Sequence, residues 1–143
     1  MDKSLMQQIS LVTLGVADPA RAKRFYAEGF GWAPVFEMDD LAFYQMNGLV
    51  FGIWDKAQLA EDMLRPAAAP GSIALAHNVA SREAVDAAIS RLLAAGATLL
   101  RAADAPPHGG YRGYVADPDG HAWEIAWNPA WAIEESGAIT FAL

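Results

Sequence analysis

The sequence predicts an α+β fold made of two tandem βαβββ modules, whose curved mixed sheets carry helices on their convex sides. Three observations predict it. A β-rich segment is followed by an amphipathic helical pattern and then by three more strands. The same order of elements occurs a second time. A two-residue turn fixes the register of each half, Asn47-Gly48 in the first and Asp119-Gly120 in the second.

The first predicted module spans about residues 8–55. Asp18 is a good N-cap, Pro19 suits the first helical turn, and Gly29 or Gly31 can end the helix. The helix is expected to bury a stripe formed by Ala22, Phe25 and Tyr26. Strand-like runs occupy residues 9–16, 33–40, 41–48 and 49–54.

The second predicted module spans about residues 72–129. Ser81 can cap its helix and Gly96 can end it. The helix carries an apolar stripe at Val85, Ala88, Ile89, Leu92 and Leu93. Strand-like runs occupy residues 72–79, 97–102, 111–120 and 121–127.

A linker of about residues 56–71 joins the modules, and a tail of about residues 130–143 follows them. Asp55 can cap a short helix in the linker, which Pro66, Pro70 and Gly71 would end. The tail is apolar enough to pack, and either adds a strand or covers an interface. We expect the whole chain, 1–143, to form a single domain.

The composition excludes several classes of function. Apolar residues make up 54% of the chain and charged residues 19%, which is typical of a globular domain. A net charge of −7 with scattered Lys and Arg argues against a nucleic-acid or membrane surface. The absence of cysteine excludes disulfides and thiolate chemistry. With neither a signal peptide nor a membrane span in the sequence, we expect a cytoplasmic protein.

Two segments, LVTLGVADPARAKRFY and GGYRGYVADPDGHAWEIAWNP, together with the paired modules, resemble the vicinal oxygen chelate superfamily over about residues 8–129. This glyoxalase-like superfamily includes glyoxalase I, extradiol dioxygenases, and bleomycin- and fosfomycin-resistance proteins. Its fold hosts several chemistries and also members that only bind. The resemblance therefore implies the fold, and a homodimer because such two-module chains commonly pair, without naming a reaction.

In metal-dependent members of the superfamily, each module contributes a ligand from its first strand and one from its last. Carried over to this chain, the first-strand positions are Leu11 and Ala74, or Ser72 with a different gap, and the last-strand positions are Gly52 and Glu124. Only Glu124 has a side chain of the usual ligand type, whereas such metals need three or four N or O donors. We therefore predict no metal and no other cofactor.

The three histidines do not restore the ligand set. Side chains alternate between the two faces of a strand. His121 is three residues from Glu124 and should point to the opposite face, and His77 has odd parity relative to Ala74. His108 lies in a loop and would need an excursion to reach Glu124.

The same alternation predicts a pocket on the concave face of the sheets. One set of strand positions is uniformly apolar and should face the helices: Val12, Leu14, Val16, Phe51, Ile53, Trp123, Ile125 and Trp127. The opposite set mixes small, aromatic and polar side chains, as small-molecule sites do. The predicted lining is Leu11, Thr13, Val50, Gly52, Trp54, Ala74 and Glu124, together with Tyr44 and Tyr114, which are included because they lie near these positions in the sequence.

Glu124 has three interpretations. It hydrogen-bonds the backbone or pairs with Arg101 or Arg112; it is a catalytic acid or base or binds a polar group of the ligand; or it is retained from a lost metal site. Asp117 and Asp119 are expected to hold the turn through backbone N–H groups. The sequence favours metal-free binding of a small molecule in the concave cleft. The alternative is an enzyme of lyase or dioxygenase type that uses Glu124 with a metal or as an acid or base.

Overall fold

Each half of the chain folds into a four-stranded mixed sheet with a helix on one face, in a computed structural model that describes residues 5–142. The first module contains β1 (Leu11–Val16), α1 (Pro19–Phe25), β2 (Phe36–Met38), β3 (Leu41–Gln45) and β4 (Val50–Asp55). The linker forms α2 (Lys56–Met63). The second module contains β5 (Ala74–Asn78), α3 (Arg82–Ala94), β6 (Thr98–Asp104), β7 (Tyr111–Ala116) and β8 (Ala122–Trp127). The predicted α+β fold with paired βαβββ modules is confirmed.

The two sheets have the same strand order, β1-β4-β3-β2 in sheet one and β5-β8-β7-β6 in sheet two. In each sheet the first and last strands of the module run parallel and the remaining pairs are antiparallel. Thr13 lies opposite Gly52 in sheet one, and Ala76 lies opposite Glu124 in sheet two. Gly52 and Glu124 therefore occupy equivalent positions, as the two turns predicted.

Both main helices begin at the predicted caps. The Asp18 side chain accepts a hydrogen bond from the Arg21 backbone N–H, and the Ser81 hydroxyl accepts one from the Ala84 N–H. Helix α1 continues through a π-helical turn, Tyr26–Phe30, and the chain leaves it at Gly31, whose φ of 76° favours glycine. Leu93 was predicted to belong to the buried stripe of α3, but 37% of its surface is exposed.

The linker helix begins at Asp55, whose carboxylate accepts a hydrogen bond from the Gln58 N–H at 3.1 Å, as predicted. It packs across the end of β1, where Gly15 makes room for it. A Cβ atom at Gly15 would lie 3.0 Å from the Cβ of Lys56. No helix within residues 5–142 combines the length and the apolarity that a bilayer span requires.

The helix-bearing faces of the two modules form one shared core. Tyr26, at the end of α1, lies at its centre, with ring centroids 5.2 Å from Phe51 of sheet one and 6.1 Å from Trp123 of sheet two. The apolar strand set behaves as predicted, and its core members are Leu14, Val16, Phe51, Ile53, Trp123 and Ile125. The modules thus pack with these faces toward each other, so the opposite faces, called here the outer faces, point apart.

The tail forms a small hairpin of β9 (Ala132–Ile133) and β10 (Ile139–Thr140) and joins neither sheet. Its turn contacts the first module, because the Asn47 side-chain amide donates a hydrogen bond to the Ser136 carbonyl at 2.9 Å. The tail therefore lines part of the gap between the modules.

Candidate functional site

The predicted pocket residues of sheet one lie on its outer face, except Tyr44. Thr13 pairs with Gly52, and Gly52 pairs with Phe43 on β3. A Cβ at Gly52 would meet the Phe43 ring at 3.1 Å and the Leu11 side chain at 3.5 Å. Glycine therefore relieves crowding here, and the Phe43 ring fills the space that a ligand side chain would need. By alternation, Val50 and Trp54 share this face with Gly52.

The prediction that Tyr44 lines the pocket is wrong, because Tyr44 belongs to the core. Its ring lies 5.9 Å from that of Phe51 and 6.2 Å from that of Tyr26, and only 1% of its surface is exposed. The reason is alternation along β3, which gives the outer face to its neighbour Phe43. Burial raises the pKa of Tyr44 to about 12, so it stays neutral.

On sheet two, Glu124 lies on the outer face between Ala76 of β5 and Tyr114 of β7, with Ala74 two residues along the edge strand. Glu124 is half-buried. Within residues 5–142, its carboxylate has neither a hydrogen-bond partner nor an ion-pair partner. It is the one carboxylate among the predicted lining residues.

Glu124 pairs with neither Arg101 nor Arg112, which one of its three interpretations offered as partners. Arg101 contacts the Asp104 carboxylate at 3.0 Å, and Arg112 hydrogen-bonds the same carboxylate. Two register shifts in β6, between Leu99 and Asp104, bring Asp104 to these arginines. Asp104 therefore forms the ion pairs that would have given Glu124 a structural role.

The predicted lining residues do not form a single cleft within one chain. Phe51 and Trp123 face each other in the shared core, with ring centroids 5.7 Å apart. Their strand neighbours Gly52 and Glu124 point the opposite way, each out of its own sheet. Apart from the buried Tyr44, the predicted lining residues therefore divide into two half-sites, one on each outer face.

The residues at the superfamily's ligand positions do not fit a divalent metal. Leu11, Gly52 and Ala74 offer no side-chain donor, and Ser72 precedes β5. The part of the chain described, 5–142, contains no group of three or more His, Asp or Glu side chains able to hold a metal ion. One carboxylate is too few for the tetrahedral or octahedral sites that such metals prefer.

The DPDG turn joins the two modules through a buried carboxylate. Asp117 is 2% exposed, and its Oδ1 accepts the backbone N–H groups of Asp119 and His121, both at 2.9 Å. Its Oδ2 accepts the Tyr26 hydroxyl at 2.7 Å, and the Trp123 indole N–H donates to the Tyr26 oxygen at 3.1 Å. Burial and the Asp117 charge raise the pKa of Tyr26 well above its usual value. The predicted turn role of Asp117 is confirmed.

Other residues of the turn contact the junction of β1 and α1. Asp119 Oδ1 accepts the Ala17 N–H at 2.8 Å and an Arg21 guanidinium N–H at 3.0 Å. The His121 ring nitrogen Nε2 lies 2.8 Å from the Gly15 carbonyl oxygen. These contacts give His121 a structural role between modules, and His108 is exposed in its loop.

A cavity of about 860 Å³ opens between the modules, on the core side of both sheets, and is called here the inter-module cavity. Its floor is formed by Val12, Trp32, Phe51, Leu75, His77 and Trp123. The sequence did not point to this cavity. His77 was correctly expected to leave the outer face, but nothing in the sequence indicates that it would meet Trp32, which follows α1 in a loop.

Paired βαβββ modules, with a DPDG turn in the second module that hydrogen-bonds to the first, define a protein of the vicinal oxygen chelate fold. The model of the Glyoxalase/Bleomycin resistance protein/Dioxygenase superfamily matches residues 8–125, and the chain belongs to this superfamily. A comparison with curated proteins finds no match.

Solved structures support this assignment. A glyoxalase-related enzyme from Fulvimarina pelagi is 55% identical, with a TM-score of 0.94 over 96% of this chain and 100% of that chain. A glyoxalase/bleomycin resistance protein/dioxygenase family enzyme from Burkholderia phytofirmans is 22% identical, with a TM-score of 0.75 over 82% and 96%. A lactoylglutathione lyase from Agrobacterium tumefaciens is 20% identical, with a TM-score of 0.67 over 85% and 94%. The last two likenesses concern the fold alone.

Proposed function

We propose that this protein binds a small, largely apolar molecule without a metal, in a cleft formed where the outer face of sheet two meets the outer face of sheet one from a second copy. The observation that carries the proposal is Glu124. It is a half-buried carboxylate on a helix-free sheet face, with no partner among the described residues. Such a group gains most from a polar atom supplied by a ligand.

The two outer faces have complementary character. Sheet one presents an apolar row in which Leu11, Phe36 and Met38 are 44%, 51% and 56% exposed. Sheet two presents the polar side chains of Glu124 and Tyr114. A cleft between them would hold the apolar body of a ligand against sheet one and its polar group against Glu124.

A second copy of this chain would bury the exposed apolar row of sheet one. Contiguous exposed apolar side chains on a sheet mark interaction surfaces. Because the outer faces of one chain point apart, the faces of Gly52 and Glu124 can meet only between two chains. A two-fold symmetric homodimer satisfies both half-sites at once.

The assembly is tested by Phe36→Glu. We expect the native protein to elute in size-exclusion chromatography with light scattering at twice its chain mass of 15.3 kDa. The variant places a charge on the apolar row and should elute as a folded monomer, because an unpaired charge resists burial. Glu61→Gln, on an exposed part of α2, is the control and should remain dimeric. A native protein that runs as a monomer contradicts the composite cleft.

The role of Glu124 is tested by Glu124→Gln against a thermal-shift panel of aromatic and hydrophobic ligands carrying hydroxyl, amide or amine groups. The best ligand should lose about tenfold or more in affinity, since a hydrogen bond to a charged group contributes about 1.5–3 kcal/mol. The free energy of unfolding should stay within about 0.5 kcal/mol of native, because the carboxylate has no partner to lose. A panel without a hit, or a hit with unchanged affinity, would reject the proposal.

The same unpartnered carboxylate favours a second candidate, a metal-independent lyase in which Glu124 accepts or donates the proton. The 55% identical protein from Fulvimarina pelagi is described as a glyoxalase-related enzyme. Turnover of a bound carbonyl compound, abolished in Glu124→Gln with binding retained, would favour this candidate. A metal-dependent reaction requires at least one ion per site. Elemental analysis that finds fewer than about a tenth of an ion per chain would therefore exclude a metal-dependent reaction and leave the two metal-free candidates.

A further inference from the structure

We propose that the inter-module cavity is a second ligand site, which takes an uncharged, flat aromatic molecule carrying one hydroxyl or N–H group. The site lies on the core side of the sheets and is distinct from the outer-face cleft. Phe51 and Trp123 contribute to its floor, whereas their strand neighbours Gly52 and Glu124 face the opposite way.

The cavity has the size and surface of a small-molecule site. Its volume of about 860 Å³ lies within the range of about 300–1,000 Å³ typical of ligand pockets. Trp32, Phe51 and Trp123 form a corner of three rings at its floor, with each pair of centroids 5.7 or 5.8 Å apart and interplanar angles of 66° or 71°. Phe51 and Trp123 are almost fully buried, at 3% and 5% exposed, so a flat aromatic ligand would place its edge or its face mainly against the half-buried indole of Trp32.

The lining excludes ionic ligands. Its side chains include no Asp, Glu, Lys or Arg among the residues between 5 and 142. A charged ligand would give up hydration there without meeting an opposite charge, which is costly. The polar side chains at the entrance, Gln45 and Asn47, are neutral, and Asn47 also holds the tail hairpin at Ser136.

His77 supplies the polar contact. Its imidazole is half-buried, and among residues 5–142 no side chain or backbone group hydrogen-bonds to it. The rings of Phe30 and Trp32 hold it edge to face, with centroids 5.8 and 6.3 Å away. His77 also lines a smaller neighbouring cavity of about 280 Å³ beside α3.

The protonation state of His77 sets the kind of polar group the ligand needs. Burial lowers the pKa of His77, so its imidazole is neutral near pH 7. A neutral imidazole offers one donor and one acceptor. A hydroxyl or N–H group on the ligand can pair with it, whereas a carboxylate would find no cation.

Three probes test the site by calorimetry near pH 7: 2-naphthol, naphthalene and 2-naphthoate, which share a flat ring system and differ in the polar group. The hydroxyl should make 2-naphthol bind about tenfold more tightly than naphthalene, and the anion should bind more weakly than both. Equal affinity of 2-naphthol and naphthalene, or preference for the anion, would overturn the proposal.

Two variants locate the binding. His77→Phe should abolish the preference for 2-naphthol over naphthalene while keeping an aromatic ring at this position. Glu61→Gln, on the exposed part of α2, is the control and should leave all three affinities unchanged. Loss of the preference in His77→Phe supports this site whether or not the outer-face proposal holds. If 2-naphthol binding weakens in Glu124→Gln and not in His77→Phe, the probe binds the outer-face cleft and this assignment is overturned. A preference that survives His77→Phe overturns the assignment.

An NMR measurement on the native protein is independent of how the variants fold. Nuclear Overhauser contacts are expected between the 2-naphthol ring protons and the indole protons of Trp32. Contacts to Trp54 on the outer face instead would overturn the site.

Discussion

Replacing Tyr26 with alanine is expected to lower the free energy of unfolding by about 4–5 kcal/mol, the upper part of the range for truncating a large buried aromatic side chain. Tyr26 is fully buried, and its ring stacks on Trp32 at 5.9 Å and meets Phe51 and Trp123 from the two sheets. Its loss would leave a cavity at the point where the modules join. Urea unfolding followed by circular dichroism measures the change.

Tyr26→Phe is the matched control. It keeps the ring and removes only the hydroxyl, which donates to Asp117 and accepts from Trp123. We expect a loss of about 2 kcal/mol, because a charged acceptor and an indole donor lose their common partner. If Tyr26→Ala costs less than about 1 kcal/mol, the shared core does not hold the modules together in the way described.

The features that could be predicted from the sequence are those set by local chemistry. Asp18 and Ser81 cap their helices because a short polar side chain reaches the N–H groups of the first turn. The two turns, with their glycines at φ of 84° and 93°, align the halves and make Gly52 the counterpart of Glu124. Alternation along the strands then separates the core face from the outer face.

The relation between the modules could not be predicted in this way. Phe51 and Trp123 were correctly assigned to helix-bearing faces, but an apolar face is equally satisfied by its own helix or by the opposite module. In the structure, Phe51 and Trp123 pack against helices and against the opposite module. The expected single cleft is therefore replaced by two half-sites, and a cavity remains beside His77. Only the packing of distant segments determines this.

Irregular backbone accounts for the other differences. The interruptions in β6 bring Asp104 to Arg101 and Arg112, and they have no clear signature in a run of Leu, Arg and Ala. Glu124 consequently remains without the structural partner that the sequence allowed. The same carboxylate is therefore the strongest candidate for ligand contact on the outer faces.

Replacing Asp117 with alanine is expected to lower the free energy of unfolding by about 3–5 kcal/mol, as for the removal of one partner from a buried charged network. The carboxylate accepts three hydrogen bonds, from Tyr26 and from the backbone of Asp119 and His121. Alanine would leave these donors unpaired inside the protein, each at a cost of about 1–3 kcal/mol that is not additive. Thermal and urea unfolding should both report the loss.

Two comparisons isolate the inter-module part of this effect. Asp117→Asn retains an acceptor oxygen and should cost less, about 1–2 kcal/mol. A double-mutant cycle of Asp117→Asn with Tyr26→Phe should give a coupling energy of about 1 kcal/mol or more, since the two side chains share a hydrogen bond of 2.7 Å. Additive single effects would mean that the DPDG turn stabilises only its own hairpin. A coupling of the expected size would mean that, in this chain, the DPDG turn also stabilises the packing of the second module against the first.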